Sequence, residues 1–289
     1  MKKLDWSSFT EGHYFEISDL ILIALIILSI IILFIFPVRE YIIGSSADTP
    51  EIAREENSIR VKAEVLNVDN SSIHHSGLVR TGEQYLEVGV LRGNFAGEKI
   101  DVVNYLSGSM QLDTVFDKGD NALVTIRKGK DGEIRSASAV DHYRIEIEIL
   151  LLLIFALLLA VFAGLTGLKS ALSFVFTGVV IWKILLPAFL AGWNPIFTAF
   201  LTVSLITFVI IFLIGGVSLR GMVAYFGSMT GVGLTAFFAI YFGRIMNIEG
   251  SVKEFSETLL YAGYENLDLT SIFIAGIFIA SSGAVMDIA

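Results

Sequence analysis

The run Ile149-Leu150-Leu151-Leu152-Leu153-Ile154-Phe155-Ala156-Leu157-Leu158-Leu159-Ala160-Val161-Phe162-Ala163-Gly164 contains no charged side chain. As a helix rising about 1.5 Å per residue, residues 147–164 reach across roughly 30 Å, the thickness of a bilayer's hydrocarbon core. Apolar runs of similar length with at most one charged side chain recur outward from it, at residues 20–36, 171–190, 195–217, 222–243 and 269–289. The pattern predicts an α-helical polytopic membrane protein with about six transmembrane helices. Composition agrees. The chain has 289 residues, 54% hydrophobic and 17% charged, with a mean hydropathy of +0.72. A soluble chain carries about 25% charged residues.

The first span has an alternative reading as a cleaved signal peptide. Its apolar run is too long for a signal h-region, and residues 1–19 form a polar tail ahead of it, so an uncleaved anchor is expected. A formal charge of -9 argues against a nucleic-acid partner, which needs a basic face. With no cysteine, disulfides, thiol redox chemistry and zinc–thiolate sites are excluded.

Three parts follow: residues 1–43 (cytoplasmic tail and first helix), 44–145 (a β domain) and 146–289 (a five-helix membrane domain). Between residues 44 and 145 charged residues return and the apolar ones alternate. Ile59-Arg60-Val61-Lys62-Ala63-Glu64-Val65 has the period of two of a half-buried strand. Residues 85–91, 99–106, 122–126 and 133–140 are further strand candidates, separated by turns such as Arg92-Gly93-Asn94 and Lys118-Gly119-Asp120. Five short strands predict a small all-β, OB-like barrel, with a twisted open sheet as the alternative. His74-His75 fall in a loop between these candidates; a metal role would need further converging ligands.

Orientation follows from Lys and Arg in short loops. With the N-terminus cytoplasmic, Lys2, Lys3, Lys169 and Arg220 lie inside, and the short outer loop Ala191-Gly192-Trp193-Asn194 has no cation. The β domain is then extracytoplasmic. In the longer outer loop, Ser251 and Glu254 have capping-box spacing, and Val252, Phe255, Leu259 and Leu260 share a face. An amphipathic helix is expected at about residues 251–263, lying in the interface or packed on the protein's own surface.

No catalytic motif occurs, and no enzyme activity, cofactor or metal site is expected. Two ionisable residues within spans are informative, Lys183 and Asp287. A charge at the bilayer centre costs at least about 2.5–3.5 kcal/mol, so it is kept where it pairs, meets water or works. They are candidate transport-path residues, and the alternative is that both reach headgroup water. Thr198 and Thr202, spaced i, i+4, with Thr207 beyond, are interhelical hydrogen-bond candidates or a polar path. Gly227, Gly231 and Gly233 allow close helix packing or a hinge. Asn194 and Pro195 read as the N-cap and first turn of a helix.

Leu190-Ala191-Gly192-Trp193-Asn194-Pro195, Gly231-Val232-Gly233-Leu234-Thr235-Ala236 and the final Gly283-Ala284-Val285-Met286-Asp287-Ile288-Ala289 together resemble the YibE/F-like family of bacterial membrane proteins. The β domain with its Lys118-Gly119-Asp120 turn is similar to the extracytoplasmic part of YibE-type members. The resemblance implies a multi-spanning protein of the cell membrane, often described as a transporter with no settled substrate. In the family the Gly-Ala-Val-Met-Asp motif is followed by more helix and a further span. It therefore implies a chain cut short at Ala289, or a bundle completed by a second family-related polypeptide. Beyond the lipid bilayer, such a polypeptide or a homo-oligomer is the partner to expect. Two functions remain open. One is a transporter of a small solute or ion. The other is a non-transporting scaffold whose β domain binds an extracytoplasmic partner or envelope component.

Overall fold

The computed structural model describes residues 17–35, 58–129, 133–252, 256, 259, 264 and 267–288. The chain divides into two compact units, Glu55–Leu153 and Ile154–Ala289 together with the segment carrying the first helix.

Among the described residues, the first unit holds six strands: β1 (Ser58–Asp69), β2 (Ile73–Ser76), β3 (Val79–Val90), β4 (Lys99–Ser107), β5 (Asn121–Lys128) and β6 (Ile134–His142). The ring order β1–β3–β4–β6–β5 closes on β1, and every pairing in it is antiparallel except β4 with β6. This is a five-stranded barrel, which fits the OB-like expectation and not the open sheet. The strand β2 hangs outside the ring on β3. It carries the His74-His75 pair, placed by the sequence in a loop. His74 stands opposite Thr81 and His75 opposite Arg80, so the two imidazoles leave opposite faces of the strand and do not converge.

Alternation builds the barrel core. Val61, Ala63 and Val65 of β1 meet Leu86, Val88 and Val90 of β3, Ile100 and Val102 of β4, and Ala122, Val124 and Ile126 of β5. Each large apolar side chain so buried contributes about 1.5–3 kcal/mol. The β4–β5 connection contains no helix. It lays Phe116, fully buried, into the core against an edge of His142 at 5.0 Å.

The helical unit contains α1 (Ile17–Ile35), α2 (Ile145–Val180, whose first turns belong to the barrel's unit), a π turn (Ile181–Leu185), α3 (Leu186–Leu190), α4 (Pro195–Gly215), α5 (Leu219–Ile245) and α6 (Leu269–Ile288). Among the described residues, four helices are long and apolar enough to cross a membrane: Ile145–Leu190, Pro195–Gly215, Leu219–Ile245 and Leu269–Met286. A shorter apolar helix covers Leu20–Ile35. Their outward side chains, among them Leu201, Phe237 and Phe242, are half or more exposed. Such an apolar exterior suits a hydrocarbon solvent.

The 46 residues of Ile145–Leu190 would run about 69 Å if straight. They do not. At Gly164 the backbone leaves the helix with φ 56° and ψ -133°. The rings of Phe155 and Phe174 then meet at 6.0 Å. Nineteen residues of straight helix would hold them about 28 Å apart, so α2 doubles back on itself. The sequence reads residues 165–170 as a short link between two spans; the structure keeps them helical and turns the backbone at Gly164.

Two clusters hold the bundle. Ile26 of α1 packs with Phe176, Val180, Ile206, Val209 and Leu213. Leu185 and Phe189 pack with Ala199, Val203, Val232, Ala236, Ala275 and Phe278. Of the predicted amphipathic helix, Ser251 lies in a short 3-10 turn, Gly250–Val252. Glu254 and most of the remainder lie outside the described residues.

Candidate functional site

Lys183 sits in the π turn, and the cause is four residues downstream. Pro187 has no N–H to return to the Lys183 carbonyl, so the regular ladder cannot form there. Leu186 N–H donates instead to Ile181 O, five residues back. The Lys183 ammonium lies 5.4 Å from the centre of the Phe34 ring, near the end of α1. A cation over an aromatic face gains about 0.5–2 kcal/mol, more where water is excluded. Trp182 beside it is largely exposed.

The next element starts as the sequence pattern requires. Phe197 N–H donates to Asn194 Oδ1 at 3.0 Å, and Pro195 occupies the first turn of α4. Thr198 and Thr202 are both buried. Thr202 Oγ1 donates to Thr198 O at 2.8 Å, within its own helix and not across to a neighbour. Across the α4–α5 seam the polar contact is made elsewhere. The hydroxyls of Ser204 and Tyr225 hydrogen-bond at 2.7 Å. One helical step further on each side are Thr207 and Ser228, fully buried and without a hydrogen-bond partner. Of these four only Thr207 was singled out in the sequence. The available signal was the paired i, i+3 spacing of Ser204 with Thr207 and of Tyr225 with Ser228.

The three glycines of α5 separate by role. A Cβ on Gly231 would lie 2.8 Å from Val285 Cγ1, so a glycine there lets α6 approach. The same Cβ on Gly227 or Gly233 meets nothing within 4 Å. Gly227 borders an open groove of about 530 Å³ with Leu219, Arg220, Val223 and Ala224. A Cβ on Gly243 would lie 3.3 Å from Ile274 Cδ1, so α5 and α6 run antiparallel with Gly231 level with Val285. The backbone of Asp287 is then level with Met229, about 15 Å along α5 from Leu219. Its side chain lies outside the described residues, as does any pairing of Asp287 with Lys183.

In the barrel, polar groups occupy two inward positions. Gln84 is fully buried and Asn104 almost so. Gln84 Nε2 donates to Asn70 Oδ1 and Phe116 O at 2.8 and 2.9 Å, and its Oε1 accepts from Asn104 Nδ2 and Phe116 N–H at 3.0 and 3.1 Å. Asn104 Nδ2 also donates to Thr114 O at 2.7 Å. A glutamine on β3 thereby ties down the irregular β4–β5 connection. On the outer face of β3 and β4 stand the exposed Tyr85 and Tyr105. The Tyr85 hydroxyl donates to Glu83, and holding the proton against that carboxylate pushes the Tyr85 pKa up. The Ser71 N–H donates to Asp69 Oδ1 at 2.9 Å and draws the Asp69 pKa down. Glu146 at the start of α2 pairs with Lys62 at 3.2 Å and Arg92 at 3.0 Å, joining that helix's first turn to β1 and the β3–β4 loop.

Comparison with known proteins places both units. The description YibE/F family N-terminal domain matches residues 59–142, and YibE/F-like protein matches residues 151–289. Neither the curated proteins nor the solved structures gave a match. A five-stranded barrel over the first match and membrane-length apolar helices over the second agree with the family assignment, and the chain belongs to the YibE/F-like family of membrane proteins.

Proposed function

We propose that this protein is a transporter of a small solute or ion, crossing the cell membrane about six times with its N-terminus cytoplasmic and its barrel outside. The observation that carries the reading is Lys183, an ionisable residue on a π turn inside a membrane-length helix. Both features are costly in hydrocarbon and are kept where a helix does more than span. The six-span count is supported by the reversal at Gly164, which divides Ile145–Leu190 into two opposed arms. Phe34 near the C-terminal end of α1 meets Lys183 toward the C-terminal end of the second arm, as expected if both run outward. Lys169, just after the reversal of α2, and Arg220, in the first turn of α5, support the orientation. The first arm of α2 exposes Leu151, Leu157, Val161 and Phe162, which suits contact with lipid or with a helix of another polypeptide.

The test is flux in proteoliposomes across a panel of ions and small solutes. Lys183→Met and Asp287→Asn should each lower flux at least tenfold while the protein stays folded. Full flux in both variants would remove the proposed path residues, and no flux by the wild type on a broad panel would favour the second reading. That reading is a scaffold, and the exposed Tyr85 and Tyr105 on one barrel face speak for it.

A further inference from the structure

Hydroxyls in apolar helices have a standard outlet, the carbonyl three or four residues back along the same helix. This bundle uses it repeatedly. Ser173 donates to Ser170 O, Thr177 to Ser173 O, Thr202 to Thr198 O, Thr230 to Phe226 O, Thr235 to Gly231 O and Ser282 to Ile279 O. Thr207 on α4 and Ser228 on α5 do not, although both are fully buried. Among the described buried side chains these two hydroxyls are the ones without a partner.

They lie at the same height. The two helices run antiparallel through the short Gly216-Val217-Ser218 turn, and the Ser204–Tyr225, Phe208–Tyr225 and Phe212–Tyr225 contacts set their register. Thr207 is about 12 Å from the Gly215 end of α4, and Ser228 about 13 Å from the Leu219 end of α5. The Ser204–Tyr225 hydroxyl pair is one step away on the same two helices. Thr207 and Ser228 therefore lie at one depth beside that pair, and both have donors and acceptors to spare.

An uncompensated hydroxyl in such a place is costly, and a buried polar site of this kind is the usual seat of an internal water with two to four partners. We propose that Thr207 and Ser228 bind a water molecule between α4 and α5, extending the Ser204–Tyr225 pair into a hydrated polar seam within the membrane. A water fits better than a cation because a hydroxyl both donates and accepts, whereas a cation would use only the oxygens. The proposal stands whether or not the protein transports.

The test is thermal unfolding of the full chain in detergent, comparing Thr207→Val, Ser228→Ala and the double variant. If a water bridges the two hydroxyls, each single change leaves it poorly held and lowers the Tm by about 2–4 °C. The double variant then loses less than the sum, because the same water is lost once. Single variants with an unchanged or raised Tm would mean empty, unsatisfied hydroxyls and would overturn the proposal. Thr207→Ser keeps the hydroxyl and should stay near the wild type; a fall as large as that of Thr207→Val would make shape the cause and also overturn it. Stabilisation by sodium or potassium chloride but not by choline chloride, lost in the double variant, would assign the site to a cation instead.

Discussion

Gln84 shows how a single side chain can organise a domain. It stands on β3 among Leu86, Val88 and Val90, where the inward alternation calls for an apolar residue. Its amide instead satisfies both backbone groups of Phe116, and so holds that ring in the barrel without a helix beneath it. Gln84→Leu keeps the apolar volume but leaves the Phe116 N–H and carbonyl buried and unpaired. Each such group costs about 1–3 kcal/mol. The variant should lose at least that much stability, read by urea unfolding of the barrel's β signal. An unfolding midpoint equal to the wild type's would make the network incidental. The alternation read in the sequence starts this strand at residue 85 and singles out neither Gln84 nor Asn104. Their partners were not legible either, because those come from a connection with no periodicity of its own.

At the scale of elements, the decisive feature is the break in α2. Composition predicts two spans within Ile145–Leu190, since 46 residues exceed any bilayer. The place of the break is set by the backbone at Gly164, and Gly167, where a Cβ would lie 1.9 Å from Leu159 O, lets the two arms close on each other. The angles at Gly164 lie in a region that side-chain-bearing residues rarely enter, although a Cβ there would meet nothing within 4 Å. Gly164→Ala should therefore cost about 1–3 kcal/mol through backbone strain alone. Gly178→Ala, at a regular helical position of the second arm with equally open surroundings, should be neutral or mildly stabilising. Thermal unfolding in detergent separates the two. Equal effects would mean that the reversal does not depend on the glycine. The contrast on α5 has the same logic. Gly227, Gly231 and Gly233 look alike in sequence, and only contact with Val285 distinguishes Gly231.

For the whole molecule, the proposed orientation makes the most direct prediction. Single cysteines at Ser136, on β6, and at Lys169, just after the turn of α2, report opposite sides of the membrane, and the natural chain has no cysteine to interfere. In intact cells an impermeant maleimide should label position 136 and leave position 169 unlabelled until the membrane is opened. Labelling at 169 but not at 136 would reverse the arrangement. The same register that places α5 against α6 sets the Asp287 backbone level with Met229, deeper than its place near the end of an apolar run suggested.

The membrane class, the β insertion, the family and the starts of helices such as Asn194-Pro195 follow from the sequence alone. They depend on local chemistry: apolar length against bilayer thickness, a period of two, a cap beside a proline. Closure of the barrel, the reversal at Gly164, the π turn at Lys183 and the unpartnered pair Thr207 and Ser228 were decided by tertiary structure. Each depends on what approaches from elsewhere in the chain. A hydroxyl four residues after a carbonyl looks satisfied in every helix. Only packing shows which ones have turned away from their own backbone.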